Sequence, residues 1–408
     1  MDRRELLAGV ATAAAMLPQF RARPALAASP GRMQTGAAMK PIVDSVFASQ
    51  VAPKGEAVGI IVGVTSRAAD GAMQRAYFSY GSVPVVQPGA APPAPKDIVM
   101  FIGSNTKIFT GTMLALAAIR QKLPATGIRT PVAALLPKGV QIAAFDNEPI
   151  ELWHLATHSA GFPGYACGPR TPLGDYPFRS LAGFLEIFKP PYAPGRYWVY
   201  SNVGFGLVGA LIAHVNEGGG NAGWEPSYLQ WPAQVGPLVT MPLGMARTQV
   251  AYQPVLAQVA RGYGVGPGQA PAATRLPSWD LDSVGLAAGV LSSTAEDMLM
   301  FLEAQIAPPA TPLGQAIALT QAPNPGAMRV MGLGWQIGNG YLDKTGAYGG
   351  HTSYLGFDPA SAIGVIVLCN STGTEAAANG GRALLGKLRG QAADPFDPPN
   401  PPKPPVCP

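Results

Sequence analysis

The sequence predicts an α/β fold of two lobes, an antiparallel β-sheet flanked by helices and an all-α lobe, with the sheet built from both ends of the chain. Three observations carry this. Strand patterns occur near residues 57–80 and return near 353–369, helical spacing and long loops fill residues 151–305 between them, and 48% of the 408 residues are hydrophobic, ample for a large core. Charged residues are only 12%, but the recurring apolar periodicity argues for a folded chain outside its ends.

The N-terminal strands come first. Ala57 to Thr65 and Gln74 to Tyr80 are rich in β-branched and aromatic residues, and turn chemistry at Ala69 to Gly71 joins them as a hairpin. A proline-rich loop, Pro84 to Lys96, follows. Phe109, Met113, Leu116 and Ala117 then recur at i, i+4, i+7 and i+8, predicting a helix that ends before Pro124. A second small-residue helix runs from Val203 to Ile212. Ser353 to Phe357 and Ala362 to Cys369 form a second strand pair around the turn Asp358 to Ser361, and Glu375 to Leu388 is a closing helix. The 50 glycines and 43 prolines fit many turns, with clusters at Gly218 to Gly220 and Gly262 to Pro271.

The ends differ from this body. Residues 1–28 have the form of an export signal: Arg3 and Arg4, an apolar stretch from Leu6 to Leu17, and the small-residue site Ala25-Leu26-Ala27. The paired arginines suggest the twin-arginine route, although a Sec-type leader fits as well. The apolar stretch falls short of the roughly 20 residues needed to span a bilayer. Export implies a periplasmic or secreted protein with no stable membrane span. Residues 393–408 form a proline-rich tail, leaving 40–392 as the main domain.

The net charge is +5, and the leader's arginines supply part of it. No basic run of five or more residues marks a nucleic-acid or anionic-membrane surface. Of three cysteines, Cys369 falls in a buried strand pattern, and a Cys167 to Cys407 bridge is conceivable after export.

The chemistry rests on three short motifs. Ser104-Asn105-Thr106-Lys107 opens the periodic helix, so serine and lysine share one face about a turn apart, where an amine can take the hydroxyl's proton. S-x-x-K alone arises about once by chance in a chain this long, and a capping serine with a solvated lysine would explain it. Tyr200-Ser201-Asn202 follows the Pro194-Gly195 turn and is equally weak alone. Lys344-Thr345-Gly346 is rarer, expected in about one chain in twenty. Its lysine can bind a substrate carboxylate and lower the proton affinity of a neighbouring phenol.

In this order the three motifs resemble those of the class C β-lactamases and the related penicillin-binding proteins and esterases. The resemblance extends from about Val43 to Leu388 and includes Leu152 to Gly161, Ser292 to Met298 and Gly332 to Trp335. It implies the β-lactamase/transpeptidase-like fold and a covalent acyl-enzyme cycle in which Ser104 attacks a carbonyl and Lys107 and Tyr200 share the general-base role. It places Asn202, Lys344, Thr345, Gly346, Ala347 and Asn370 at the substrate, with the backbone amides of Ser104 and Ala347 as oxyanion hole. No cofactor and no metal is implied, and the partner is a small-molecule β-lactam, D-Ala peptide or ester, acted on by a monomer.

Two departures bear on the substrate. Phe162-Pro163-Gly164-Tyr165 follows Gly161 without the glutamine by which many class C enzymes contact a drug's side chain, and Gly373 stands where they often carry a second asparagine. Class C β-lactam hydrolysis is the expected activity. D-alanyl-D-alanine carboxypeptidase and carboxylesterase activity share the same site, and a non-catalytic muropeptide-binding protein is the alternative of another class. The absence of an S-D-N triplet at the middle motif disfavours class A chemistry, and of G-x-S-x-G an α/β-hydrolase. His154 and His158 lack the glutamate of H-E-x-x-H and are expected to be structural, and His351 to lie on the site's strand or rim.

Overall fold

The computed structural model describes residues 36–394 except 53–55, 69, 166–176, 220–225, 251–254, 267, 278–282 and 325–329, together with residue 401. The leader, Cys167 and Cys407, and all of the tail beyond Asp394 save residue 401 lie outside the described residues.

In chain order the helices are α1 (Gly36–Phe47), α2 (Thr106–Ile119), α3 (Leu152–Ala156), α4 (Phe178–Ile187), α5 (Asn202–Asn216), α6 (Trp231–Val235), α7 (Leu286–Gly289), α8 (Ala295–Ile306), α9 (Pro312–Gln321) and α10 (Ala376–Arg389). The strands are β1 (Gly59–Arg67), β2 (Met73–Gly81), β3 (Met100–Phe101), β4 (Tyr263–Gly264), β5 (Ala272–Ala273), β6 (Ser292–Ser293), β7 (Gln336–Ile337), β8 (Leu342–Tyr348), β9 (His351–Asp358), β10 (Ile363–Cys369) and β11 (Ser371–Thr372). The hairpin, the second strand pair and the closing helix fall where the sequence expects them.

Six strands form the main antiparallel sheet in the order β2-β1-β10-β9-β8-β7. Its centre joins the chain ends, Ile60 lying opposite Cys369 and Ser66 opposite Ile363. Because β1 and β10 are covered on both faces, they read as unbroken apolar runs rather than as an alternation. Ile60, Val62 and Val64 pack toward Met39, Val43 and Phe47 of α1 and Leu384 and Leu385 of α10. Ile61, Ile366 and Leu368 turn to the opposite face and join Leu299, Phe301 and Leu302 of α8 in the larger core. Phe301 stacks on Phe109 of α2 at 4.4 Å between ring centroids.

Helix α2 is the buried centre of the molecule. Every residue from Thr106 to Ala117 is buried, as a helix apolar on all sides must be. Ahead of it a tight turn, Gly103–Asn105, is held on two sides. β3 pairs with β6, and the Ile102 N–H donates to Leu291 O at 2.9 Å. Ser353 of β9 donates to Ile102 O and accepts from the Asn105 carboxamide, both at 2.9 Å. No helix among the described residues is long and apolar enough to cross a membrane.

Candidate active site

Ser104 sits in this clamped turn, and Lys107 lies one turn further along α2, so the local fold sets their spacing. Lys107 Nζ is 3.1 Å from Ser104 Oγ. Its other two neighbours are the Asn202 side-chain oxygen at 2.7 Å and the Ala288 carbonyl at 2.6 Å. Burial, reinforced by the charge on Lys344, holds the Lys107 ammonium well below the usual lysine range. A neutral amine has two protons and one lone pair. In its neutral form such an amine can donate to the two carbonyl oxygens and turn its lone pair to the Ser104 hydroxyl. That is the arrangement of a base ready to accept the serine's proton.

Tyr200 closes the triangle from the other lobe, its hydroxyl 2.5 Å from Ser104 Oγ. It precedes α5, which Ser201 caps by accepting from Gly204 N at 3.0 Å. The sequence expectation that Lys344 lowers the phenol's proton affinity is corrected here. Burial dominates and pushes Tyr200 up, with the Ser104 hydrogen bond opposing it. Lys107 and Lys344 stand 4.9 and 5.1 Å from the centroid of its ring, and among the described residues neither donates a hydrogen bond to its oxygen. A protonated Tyr200 is suited to relaying a proton rather than extracting one.

The strand β8 brings the third motif. It pairs with β9 through Gly346 opposite Ser353 and Ala347 opposite Thr352. A side chain at Gly346 would stand 2.2 Å from Ile102 O and 2.9 Å from Ser104 N, and one at Gly103, where φ is +52°, would stand 2.5 Å from Ala347 N. Two glycines therefore let the strand and the serine turn touch backbone to backbone. The backbone around Ser104 N and the backbone around Ala347 N are thereby brought side by side.

Lys344 is 2% exposed. Burial lowers it to about 8, opposed by the Asp343 carboxylate and helped by Arg382. Asp343 itself is buried and paired with Arg382 at 2.7 Å.

These residues border a cleft of about 590 Å³ lined by Ser104, Tyr200, Asn202, Lys344, Thr345, Gly346 and Ala347. One expected residue is not brought here. Asn370 is fully buried and donates to Ser82 O at 3.2 Å, so it holds the sheet edge and does not line the cleft. Phe162 packs at 1% exposure against Phe184 and Phe188, so an apolar contact fills that position, while Tyr165 reaches the cleft.

The histidines have packing roles. His154 Nδ1 accepts from Glu151 N at the start of α3. His158 Nδ1 accepts from Ser201 N at 3.1 Å, with its ring 4.6 Å from that of Tyr200, and burial lowers its proton affinity. His351 is buried against Phe101 and does not line the cleft. Two contributors carry no sequence mark. The Ala288 carbonyl is a backbone atom, and Ser353 acts through a register that only the folded sheet defines.

A nucleophilic serine, a buried amine, a phenol and an unpaired cation in one cleft, between a mixed α/β layer and a helical lobe, define a serine acyl-transfer hydrolase. The chain belongs to the β-lactamase family, whose model, described as Beta-lactamase, matches residues 49–388. It is 27% identical over 361 residues to the D-alanyl-D-alanine-carboxypeptidase/endopeptidase AmpH of Escherichia coli (strain K12), covering 81% of this chain and 86% of that protein. A β-lactamase of Yersinia enterocolitica is 25% identical over 336 residues, 72% of this chain and 78% of that one. In fold it matches a class C β-lactamase in complex with cefoxitin, with TM-score 0.67, 18% identity and coverage of 86% and 99%. A β-lactamase/D-alanine carboxypeptidase from Yersinia pestis matches with TM-score 0.65 at 23% identity, over 87% and 99%.

Proposed function

We propose that this protein is a serine hydrolase that works through an acyl-enzyme, with β-lactam amides as its substrates. The observation that carries the reading is the approach of Lys107 Nζ and Tyr200 OH to Ser104 Oγ, at 3.1 and 2.5 Å. Ser104 attacks the carbonyl carbon as its proton passes to the neutral Lys107 amine, and the amides of Ser104 and Ala347 receive the oxyanion. Tyr200 relays the proton from Lys107 to the leaving nitrogen, the carbon–nitrogen bond breaks, and a Ser104 ester remains. Water, giving its proton to the same Lys107–Tyr200 pair, then frees the acid and restores Ser104. Lys344 and Thr345 hold the substrate carboxylate, and the Asn202 carboxamide holds both Lys107 and the substrate amide.

A second reading, D-alanyl-D-alanine carboxypeptidase, uses the same atoms. The broader match to the Escherichia coli carboxypeptidase and the absence of a glutamine after Gly161 favour it. We also propose export directed by residues 1–28. N-terminal sequencing of secreted protein would give a new terminus just beyond Ala27.

Turnover of nitrocefin and of a short-chain p-nitrophenyl ester, each compared with Ser104→Ala, tests the assignment. Nitrocefin turnover lost in the variant supports the lactamase, ester turnover alone an esterase, and stable acylation without turnover a penicillin-binding protein. No reaction at Ser104 overturns the catalytic assignment.

A further inference from the structure

Among the described residues two charged side chains line the cleft, Lys344 and Glu375, and they have opposite signs. Among the described residues neither makes a hydrogen bond or ion pair through its charged group. Lys344 is nearly all buried and lies over the face of Tyr200. A buried ammonium without a partner is unfavourable in the empty site and awaits an anion, which the acyl-transfer reading supplies as the substrate carboxylate.

Glu375 is the less expected of the two. Several buried or half-buried acids of the fold are tied down: Asp343 to Arg382, Asp358 to Arg389, and Glu296 and Glu303 both to Arg75. Glu375 stands at the head of α10 but does not cap it. Thr374 Oγ1 takes the Ala376 N–H instead, at 3.2 Å. Negative charge is tolerated at a helix N-terminus, which explains why an acid is harmless there. The fold nonetheless leaves this carboxylate unused, on the wall of the cavity that holds Ser104.

We propose that Glu375 reads substrate charge, favouring substrates that carry a cationic group, such as a primary amine or a pyridinium, in addition to the carboxylate bound at Lys344. The inference rests on the acyl-transfer reading of the site. A cleft with one cation and one anion matches a zwitterion and disfavours a substrate with two negative charges, because the second anion would meet Glu375.

Matched substrates test it. Ampicillin and benzylpenicillin differ by one amine on the acyl side. Cephaloridine and cephalothin differ by a pyridinium in place of an acetoxy group on the other side. kcat/KM is measured for each with the wild type, Glu375→Gln and Glu375→Lys, or the second-order rate of Ser104 acylation by intact mass where turnover stalls. The ratio of the partner with the cationic group to the partner without it should fall about fivefold in Glu375→Gln, the scale of an exposed ion pair, and further in Glu375→Lys. In the wild type it should shrink at high salt. The two pairs together locate the cation's side of the scissile bond. Reaction at Ser104 with the same ratio in all three proteins overturns the proposal and leaves the acyl-transfer reading standing. No reaction at Ser104 with any of the four overturns both. Thermal midpoints of the variants separate a lost contact from a damaged fold, since a purely structural role would move the midpoint and leave the ratio fixed.

Discussion

Replacing Gly346 by alanine should disable the nucleophile without touching it. The added carbon would lie 2.2 Å from Ile102 O, 2.8 Å from Ser353 Oγ and 2.9 Å from Ser104 N, and two of these are backbone atoms that no rotamer can move. Relief requires the serine turn and β8 to part by about 1 Å, a misplacement that lowers a positioned reaction about 100-fold. The same movement stretches the bond from Ser353 to Ile102 O, and the strain should cost about 1–3 kcal/mol. Stopped-flow acylation by nitrocefin reads the first quantity and thermal unfolding the second. Gly183→Ala is the control. Its site lies exposed within α4, with nothing within 4 Å of the new carbon, so it should gain about 0.5–1 kcal/mol and acylate normally. Wild-type acylation by Gly346→Ala would refute the claim that backbone contact sets the geometry of Ser104.

Further outcomes follow from the charges and caps. Lys344 is lowered from 10.5 to about 8 in the folded state, so KM for carboxylate-bearing substrates should climb above about pH 8, as a pH profile would read. Because the unfolded chain binds this proton more tightly, the lysine opposes folding most below pH 8 and the penalty fades toward pH 10.5; Lys344→Met should be more stable than wild type at pH 7, by up to about 3 kcal/mol in urea unfolding, while losing activity. Asp343→Ala leaves the Arg382 guanidinium unpaired inside the fold and should lose about 3–5 kcal/mol, whereas Asp343→Leu with Arg382→Met should recover most of it in the same unfolding assay. Thr294→Ala removes the cap that accepts from Asp297 N at 3.1 Å, and should lower unfolding free energy by about 1 kcal/mol at unchanged kcat.

What could be read without the structure was local. The hairpin of β1 and β2, the strands β9 and β10 and the periodic α2 each announce themselves within a window of a few turns, and motif order was enough to bring Ser104, Tyr200 and Lys344 together. The failures share a cause. Asn370 sits one residue beyond a strand whose side chains alternate between the two cores, and its direction depends on tertiary register. The proton affinity of Tyr200 turns on burial, which spacing does not encode. Ala288 enters through its carbonyl, to which any residue type would contribute equally.

The pairing of Ile60 with Cys369 carries a consequence for the order in which the protein acquires its activity. Contacts so distant along the chain close late, since the loop between them must first be gathered, and slow folding is the usual result. A nascent chain that has already emitted Ser104, Lys107 and Tyr200 still lacks β8 to β10, and with them the strand that brings Lys344 and Ala347 to the cleft. Until synthesis has passed Cys369, the central strand pair of the sheet cannot form. The cleft is thus completed only once nearly the whole polypeptide exists.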